Sequence, residues 1–281
     1  MEEEVQDIWH IYSDGIKADI PFDSDEDKAY AWNSVAICAE STGVRVLVVT
    51  VNDTHLHIMV HGEEARVKKF KVLLRQRMGG RFVRIYLADN RVKTRKEALA
   101  KFMYVYRNCL DFYRKLPGEY AWGSGNIYFS EFRHRTAGVR LGDLSLREQY
   151  RILGSRKKMP EEWCIDAEGR ILPECFIDYL YVEQLFKTVR TFIAFLYVRR
   201  EDETAMKQEI HRNYLESRSI QDLRRIGNEY CVRYCGKTLS KVAVKNRLYV
   251  ATTMIREGIS GRSASLAKAL FLQPDDLHFL A

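Results

Sequence analysis

The chain has 281 residues, of which 46% are hydrophobic, and this length predicts about two domains with sizeable cores. Its net charge is +7, with fourteen lysines and arginines against two acids between residues 66 and 107, so that window carries +12 and the remainder −5. Concentrated charge of one sign indicates a polyanionic partner, most simply nucleic acid, because solvated surfaces usually mix both signs. The most apolar long stretch, residues 176–198, contains four charged side chains, which excludes a membrane span.

Cysteine usage and the first residues predict the compartment. The six cysteines show no Cys-x-x-Cys spacing, so we interpret them as reduced residues of an intracellular protein. Cys231 and Cys235, with three residues between them, leave a metal site open as an alternative. The sequence MEEEVQD at the start is acidic and predicts no secretory signal. We therefore expect a cytoplasmic, nucleoid-associated protein with no membrane partner.

The first half of the chain alternates between strand and helix patterns. In chain order, we predict a strand at 7–13, a helix at 28–41, a pair of strands at 44–51 and 55–60, a helix at 64–78, a strand at 82–87 and a helix at 94–112. This order predicts an α+β, ferredoxin-like fold with one antiparallel sheet and its helices on one face. The other face of the sheet is expected to be open to a ligand.

The second half is predicted to be mostly helical. A hairpin at 163–172, with its turn at Glu168-Gly169, precedes a helix at 176–200 and a charged linker at 201–204. We expect a sheet domain over 1–125, a connector with hairpin and helix over 126–200, and a helical domain over 201–281. Residues 262–280 have the pattern of a helix-turn-helix with Pro274 beginning the second helix, although ordinary bundles contain similar pairs.

Histidines alternate along the second strand of the strand pair. Successive side chains of a strand point to opposite faces, so His55 and His57 share a face and lie ~7 Å apart along the strand. Two neutral imidazoles at this spacing can bind one divalent cation. The alternative is a pair of polar residues on a solvated face. We interpret His10 as structural and His61 as a surface or phosphate-contacting residue.

The helix at 94–112 presents two polar groups away from its apolar stripe. That stripe consists of Phe102 and the residues at i+4, i+7 and i+11. Tyr104 lies ~200° around the helix from Phe102, and Asn108, four residues later, shares its face. A phenol and an amide are therefore expected side by side, although an exposed aromatic residue is the alternative for Tyr104.

Together these segments resemble a known family. His55-Leu56-His57 resembles the His-hydrophobic-His motif of HUH endonucleases. The run from Tyr104 to Asn108, followed by Tyr120-Ala-Trp122-Gly-Ser124, resembles the Tyr-x-x-x-Asn-Pro and Tyr-x-Trp-Ser-Ser segments of single-tyrosine HUH transposases. The nearest branch is that of the REP-associated tyrosine transposases, and the resemblance covers about residues 6–125.

The resemblance implies a metal-dependent transposase, a single-stranded DNA endonuclease and strand transferase that works as a monomer or homodimer. His55 and His57 would bind Mg²⁺ or Mn²⁺, with Asn108 as third ligand or orienting residue, and Tyr104 would form a 5′-phosphotyrosine link to single-stranded or hairpin DNA. We expect contacts to the DNA backbone from cationic side chains in both domains: Lys69, Arg75, Arg77, Arg81, Lys93, Arg95, Lys96, Arg256, Arg262 and Lys268.

Two departures from the family pattern keep other functions open. Cys109 stands where the family usually has proline, and the segment between Arg81 and Thr94 lacks much of the usual hairpin. A domesticated, non-catalytic DNA-binding regulator is therefore an alternative. An RNA-recognition-motif domain has the same sheet plan, but it would place paired aromatic residues where His55 and His57 stand.

Overall fold

A computed structural model describes residues 3–13, 20–82, 85–125, 127–131, 133, 138–197 and 203–277. The described residues form two compact units, one made of residues 3–197 and the other of residues 203–277. Each unit has its own hydrophobic core. Among the residues described, none of the helices combines the length and the apolar character needed to cross a bilayer.

The first unit is built on a four-stranded antiparallel sheet and the helices packed on it. The elements that form this part of the unit are β1 (Glu4–Tyr12), α1 (Asp25–Thr42), β2 (Arg45–Val51), β3 (Leu56–His61), α2 (Glu64–Gly79), β4 (Ala88–Thr94) and α3 (Arg95–Tyr113). The strands lie in the order β2-β3-β1-β4. The predicted α+β class and antiparallel sheet are confirmed.

Polar residues at the helix ends set where these helices begin and end. The Ser24 hydroxyl accepts a hydrogen bond from the backbone N–H of Asp27 and so caps the start of α1. Gly43, with φ of 66°, ends the same helix in the left-handed conformation that favours glycine. Thr94 caps α3 by accepting from the backbone N–H of Glu97. Because Thr94 is also the last residue of β4, this cap makes α3 begin directly at the end of that strand.

Both faces of the sheet are covered, which differs from the open face that we expected. On one face Leu56, Ile58 and Val60 are fully buried. Helix α3 lies across the other face, where the Thr50 hydroxyl on β2 donates to the backbone oxygen of Val105 at 2.8 Å. The sequence of β2, RVLVVTV, is apolar at nearly every position, and this pattern is typical of a strand buried on both sides.

The fourth strand lies later in the chain than predicted. The apolar run at 82–87 favours a strand by propensity, but residues 85–87 have no regular structure, and residues 83–84 lie outside the described part of the chain. The strand is instead Ala88–Thr94, in which Ala88 and Val92 are buried. Because β4 pairs only with β1 at the sheet edge, its other residues remain polar.

Residues 138–197 belong to the same compact unit as the sheet. Gly169, with φ of 76°, turns the short hairpin predicted at 163–172. The helix predicted at 176–200 is two helices, because the chain breaks at Lys187, where φ is 68°. The elements of this region are β5 (Val139–Arg140), α4 (Leu146–Leu153), β6 (Cys164–Ile165), α5 (Tyr179–Phe186) and α6 (Val189–Tyr197).

The second unit is helical. Gly227, in the helix Ile220–Cys235, packs so closely against the Leu270 side chain that this side chain would have to move to admit a Cβ atom. Pro274 does begin an element, but the second helix of the predicted helix-turn-helix is a single 3₁₀ turn, Pro274–Leu277, and residues 278–281 lie outside the described part. The helices are α7 (Glu203–Glu216), α8 (Ile220–Cys235), α9 (Val244–Arg256) and α10 (Ala264–Ala269).

Candidate active site

The two histidines of the predicted pair lie on the central part of the sheet. His57 is paired with Tyr12 on β1 and with Thr50 on β2, and His55 immediately precedes β3. The two imidazole rings are 5.0 Å apart between centroids, at 80° to each other. Both side chains are buried, with 5% and 3% of the surface of His55 and His57 exposed. They are therefore not polar residues of a solvated sheet face.

Helix α3 brings its two predicted polar residues to these histidines. The ring of Tyr104 lies edge to face with that of His57, with 5.3 Å between centroids. One turn later, the Asn108 side-chain oxygen lies 2.8 Å from Nε2 of His55. The four-residue spacing of Tyr104 and Asn108 along the helix thus matches the two-residue spacing of His57 and His55 along the strand. As a result, a phenol, an amide oxygen and two imidazoles meet in one buried cluster.

The donors around His55 fit a small divalent cation. His55 Nδ1 lies 2.8 Å from the Thr54 hydroxyl, and Nε2 lies 3.0 Å from the side-chain nitrogen of Asn52, which also donates to the Asn108 oxygen. With its proton on Nε2, His55 donates a hydrogen bond to the Asn108 oxygen. In the other tautomer Nε2 offers a lone pair 2.8 Å from that oxygen, and a cation bound by both atoms would take the place of the hydrogen bond. Ligands ~2.1 Å from a metal and at right angles to each other are ~3.0 Å apart.

The number of ionisable ligands limits what such a cation site can be. Within the residues described, no group of three or more His, Cys, Asp and Glu side chains is placed to hold a metal ion. The amide oxygen of Asn108 is therefore needed beside His55 and His57. Imidazole ligands suit Mn²⁺ better than Mg²⁺. Cys231 and Cys235 are free thiols in the other unit.

His10 belongs to the same cluster, which the sequence did not indicate. Its Nε2 lies 3.0 Å from Nδ1 of His57, and its ring stacks on Tyr12 with 4.7 Å between centroids. With Nδ1 of His57 engaged in this way, Nε2 is the atom of His57 that remains for a ligand. His10 is a positioning residue of the kind that orients metal-binding histidines. Only the register of β1 against β3 reveals it, since 47 residues separate the two histidines.

Burial keeps the imidazoles of His10 and His57 neutral. Desolvation, together with the nearby positive charge of Lys101, lowers the pKa of His10 from 6.5 to about 3. Desolvation and the neighbouring His55 and His10 hold the pKa of His57 well below its usual value. Lys101 is itself buried and donates to Glu97 at 2.7 Å. At neutral pH the ring of His57 therefore offers a lone pair, which is the form in which histidine binds metals.

Residues 120–124, which follow α3 in the chain, hold the end of β2 beside the site. The Tyr120 hydroxyl donates to the backbone oxygen of Val51 at 2.7 Å, and the Ser124 hydroxyl hydrogen-bonds the backbone of Val49. These contacts hold the end of β2, which leads directly into Asn52. Cys109 is 1% exposed, and α3 continues past it to Tyr113. A cysteine at that position thus leaves the helix intact.

The basic residues predicted to contact DNA divide into two groups. Arg77 donates to the backbone oxygen of Leu153, Arg81 pairs with Asp27, and Arg95 donates to the backbone oxygen of Leu185, so these three are engaged within the protein. His61, a further predicted surface residue, stacks on Tyr181. The remaining predicted cations have exposed side chains: Lys69, Arg75, Lys93 and Lys96 in the first unit, and Arg256, Arg262 and Lys268 in the second.

Comparisons with known proteins give one structural similarity. No protein-family model matches the chain, and no curated protein matches it. A solved structure, described as a REP-associated tyrosine transposase bound to a REP hairpin, aligns with 44% of this chain and 78% of its own. The identity is 10% and the TM-score 0.32. At that TM-score the similarity assigns neither a family nor an activity.

Proposed function

We propose that this chain is a metal-dependent DNA strand transferase of the HUH type that acts on single-stranded or hairpin DNA. One observation carries the proposal: Tyr104 and Asn108 reach His57 and His55 from a helix that crosses the sheet. A phenol is thereby brought beside a pair of imidazoles. The order of elements from β1 to α3 and the strand order β2-β3-β1-β4 support the ferredoxin-like plan that the proposal requires.

Tyr104 would act as the nucleophile. Its phenol oxygen would attack the phosphorus of a phosphodiester, and the bond from phosphorus to the 3′-oxygen would break. The phenol loses its proton to solvent and the departing 3′-oxygen gains one, leaving a 5′-phosphotyrosine and a free 3′-hydroxyl. The new ester retains the energy of the original bond, so rejoining the strand needs no nucleotide cofactor.

The buried residues around Tyr104 would hold the reacting phosphate. His55, His57 and Asn108 would bind Mg²⁺ or Mn²⁺, which supplies positive charge at the phosphate oxygens when bound. His10 would keep His57 in one orientation. The exposed cations of the first unit, Lys69, Arg75, Lys93 and Lys96, would contact the DNA backbone. The second unit would also bind DNA, in a nucleoid-associated protein.

The test is the formation of a covalent protein–DNA product. The full chain is mixed with Mn²⁺ and a pool of stem–loop oligonucleotides that carry randomised single-stranded flanks. Because the tyrosine is linked to a 5′-phosphate, a 3′-label should migrate with the protein on a denaturing gel, whereas a 5′-label should leave with the released strand. Tyr104→Phe should abolish the product while retaining DNA binding.

Tyr106→Phe is the matched control, since Tyr106 lies two residues away and its hydroxyl donates to the backbone oxygen of Gly125. We expect this variant to form the product at close to the normal yield. A product of normal yield in Tyr104→Phe would reject Tyr104 as the nucleophile. DNA binding with no covalent product from the unaltered chain would instead identify the alternative function, a non-catalytic DNA-binding regulator.

A further inference from the structure

Helices α8 and α9 present a basic surface on the second unit. Between Tyr230 and Arg256 the chain has six lysines and arginines and no aspartate or glutamate. Arg247 donates to backbone oxygens, those of Val242 and Phe271 among them, and so serves the fold. The other five have exposed side chains and define what we call the α8–α9 surface: Arg233, Lys237, Lys241, Lys245 and Arg256.

Two exposed tyrosines lie together within this surface. Tyr234 near the end of α8 is 41% exposed and Tyr249 on α9 is 54% exposed. Their ring centroids are 6.1 Å apart. The guanidinium of Arg233 lies 5.4 Å from the centre of the Tyr234 ring, and Lys245 precedes Tyr249 by one helical turn. Flat aromatic faces therefore stand among cations. The nearest acids in the sequence are engaged elsewhere, since Glu229 pairs with Arg225 and Glu257 accepts from the Tyr230 hydroxyl.

We propose that the α8–α9 surface binds single-stranded DNA, with unpaired bases stacked on Tyr234 and Tyr249 and with the five cations contacting phosphates. Aromatic rings within a positively charged groove are the combination by which proteins bind single strands without reading sequence. The proposal rests on the proposed function only in the choice of DNA as the strand. It assigns to the second unit a binding mode that needs no recognition helix.

The arrangement of the two rings favours a single strand over a duplex. The planes of Tyr234 and Tyr249 are at 84° to each other, so bases seated on both cannot stack on one another. The faces of bases in a duplex are covered by their neighbours, whereas an unpaired strand can turn between two nucleotides. The surface charge also disfavours a second copy of this chain, because identical cationic surfaces repel each other.

Binding of 20-residue oligothymidine to the full chain tests the proposal. Fluorescence anisotropy is measured in EDTA so that no cleavage occurs, with an abasic strand of equal length as the second probe. Replacing both tyrosines (Tyr234→Ala with Tyr249→Ala) should weaken oligothymidine binding by about tenfold or more and leave the abasic strand unaffected. Lys241→Gln with Lys245→Gln should weaken both probes and make the logarithmic salt slope shallower by about 1.4.

Two control variants separate stacking from folding. Tyr234→Phe with Tyr249→Phe keeps both rings and should bind like the unaltered protein. Tyr150→Ala removes a tyrosine of similar exposure, 49%, that also lies near an arginine but belongs to the first unit. It should bind oligothymidine normally. Wild-type affinity in the double alanine variant, or loss of affinity in the double phenylalanine variant, would overturn the proposal.

A local measurement separates this inference from the proposed strand transferase. A strand containing 5-iodouracil is photo-cross-linked to the full chain, and the modified peptides are identified by mass spectrometry. Cross-links at Tyr234 or Tyr249 are expected, and cross-links found only outside residues 230–256 would reject the surface. If cross-links form here while no covalent product forms at Tyr104, only the proposed catalytic function fails.

Discussion

The two faces of helix α3 have opposite characters. The face toward the sheet carries Tyr104 and Asn108, which meet the imidazoles of β3. The face away from the sheet carries Phe102, which is fully buried and packs against Phe186 and Phe192. One face therefore brings polar groups together, and the other packs into an aromatic core. Phe102 and Tyr104, which represent the two faces, are only two residues apart in the sequence.

The aromatic face of α3 holds the polar cluster in place inside the core. A buried polar group left without a partner costs about 1–3 kcal/mol, so the cluster around His55 and His57 is stable only if its geometry is fixed. The aromatic packing on the outer face of α3 fixes it, because the helix cannot rotate without displacing Phe102. Tyr128, Phe186 and Phe192 thus contribute to the site although they supply none of the cluster's polar groups.

The largest expected effect comes from removing the aromatic anchor. Phe102→Ala should lower the free energy of unfolding of the first unit by about 3–5 kcal/mol, because it deletes a fully buried ring. All four tryptophans lie in this unit, at positions 9, 32, 122 and 163, so tryptophan fluorescence in a denaturant titration reports on it alone.

Tyr197→Ala is the control for that measurement. Tyr197 is an aromatic residue at the end of α6 and is 75% exposed, so its loss should change stability by no more than about 0.5 kcal/mol. If Phe102→Ala costs less than about 1 kcal/mol, the outer face of α3 does not anchor the site. The contrast between the two faces would then have no energetic basis.

A smaller effect is expected on the polar face, at His10. His10→Phe keeps a ring in the buried space but removes the hydrogen bond to His57, and it should weaken Mn²⁺ binding by roughly 10- to 100-fold. The free Mn²⁺ signal in electron paramagnetic resonance measures this without any DNA. His61→Phe, at a residue that lies on β3 with His57 but stacks on Tyr181, should bind Mn²⁺ normally. Equal affinities in the two variants would remove His10 from the site.

Sequence reasoning predicted the parts of this site that depend on local periodicity. The alternation of His55 and His57 and the four-residue spacing of Tyr104 and Asn108 follow from strand and helix geometry, and in the structure each pair shares a face. The place of His10 depends on the register between β1 and β3, and no local pattern specifies that register. The docking of α3 across the sheet also depends on long-range packing, which local patterns do not specify. The same holds for the use of residues 88–94, and not 82–87, as the fourth strand.

The smallest expected effect is a dependence of stability on pH that arises from the polar face alone. The pKa of His10 is about 3 in the folded protein and near 6.5 when unfolded. As the pH falls through 6.5, the unfolded chain therefore binds a proton that the folded chain does not, and stability is lost. Each such histidine should cost about 1.4 kcal/mol between pH 7.5 and 5.5.

His10→Phe should remove one histidine's share of this loss, because phenylalanine does not titrate, whereas Phe102→Ala should lower stability equally at both pH values. Tryptophan-monitored unfolding in EDTA at the two pH values measures both variants. An unchanged pH dependence in His10→Phe would mean that His10 is solvated and protonated like an ordinary surface histidine. The polar face of α3 would then be solvated. The two faces of the helix would differ in their amino-acid composition but not in their burial.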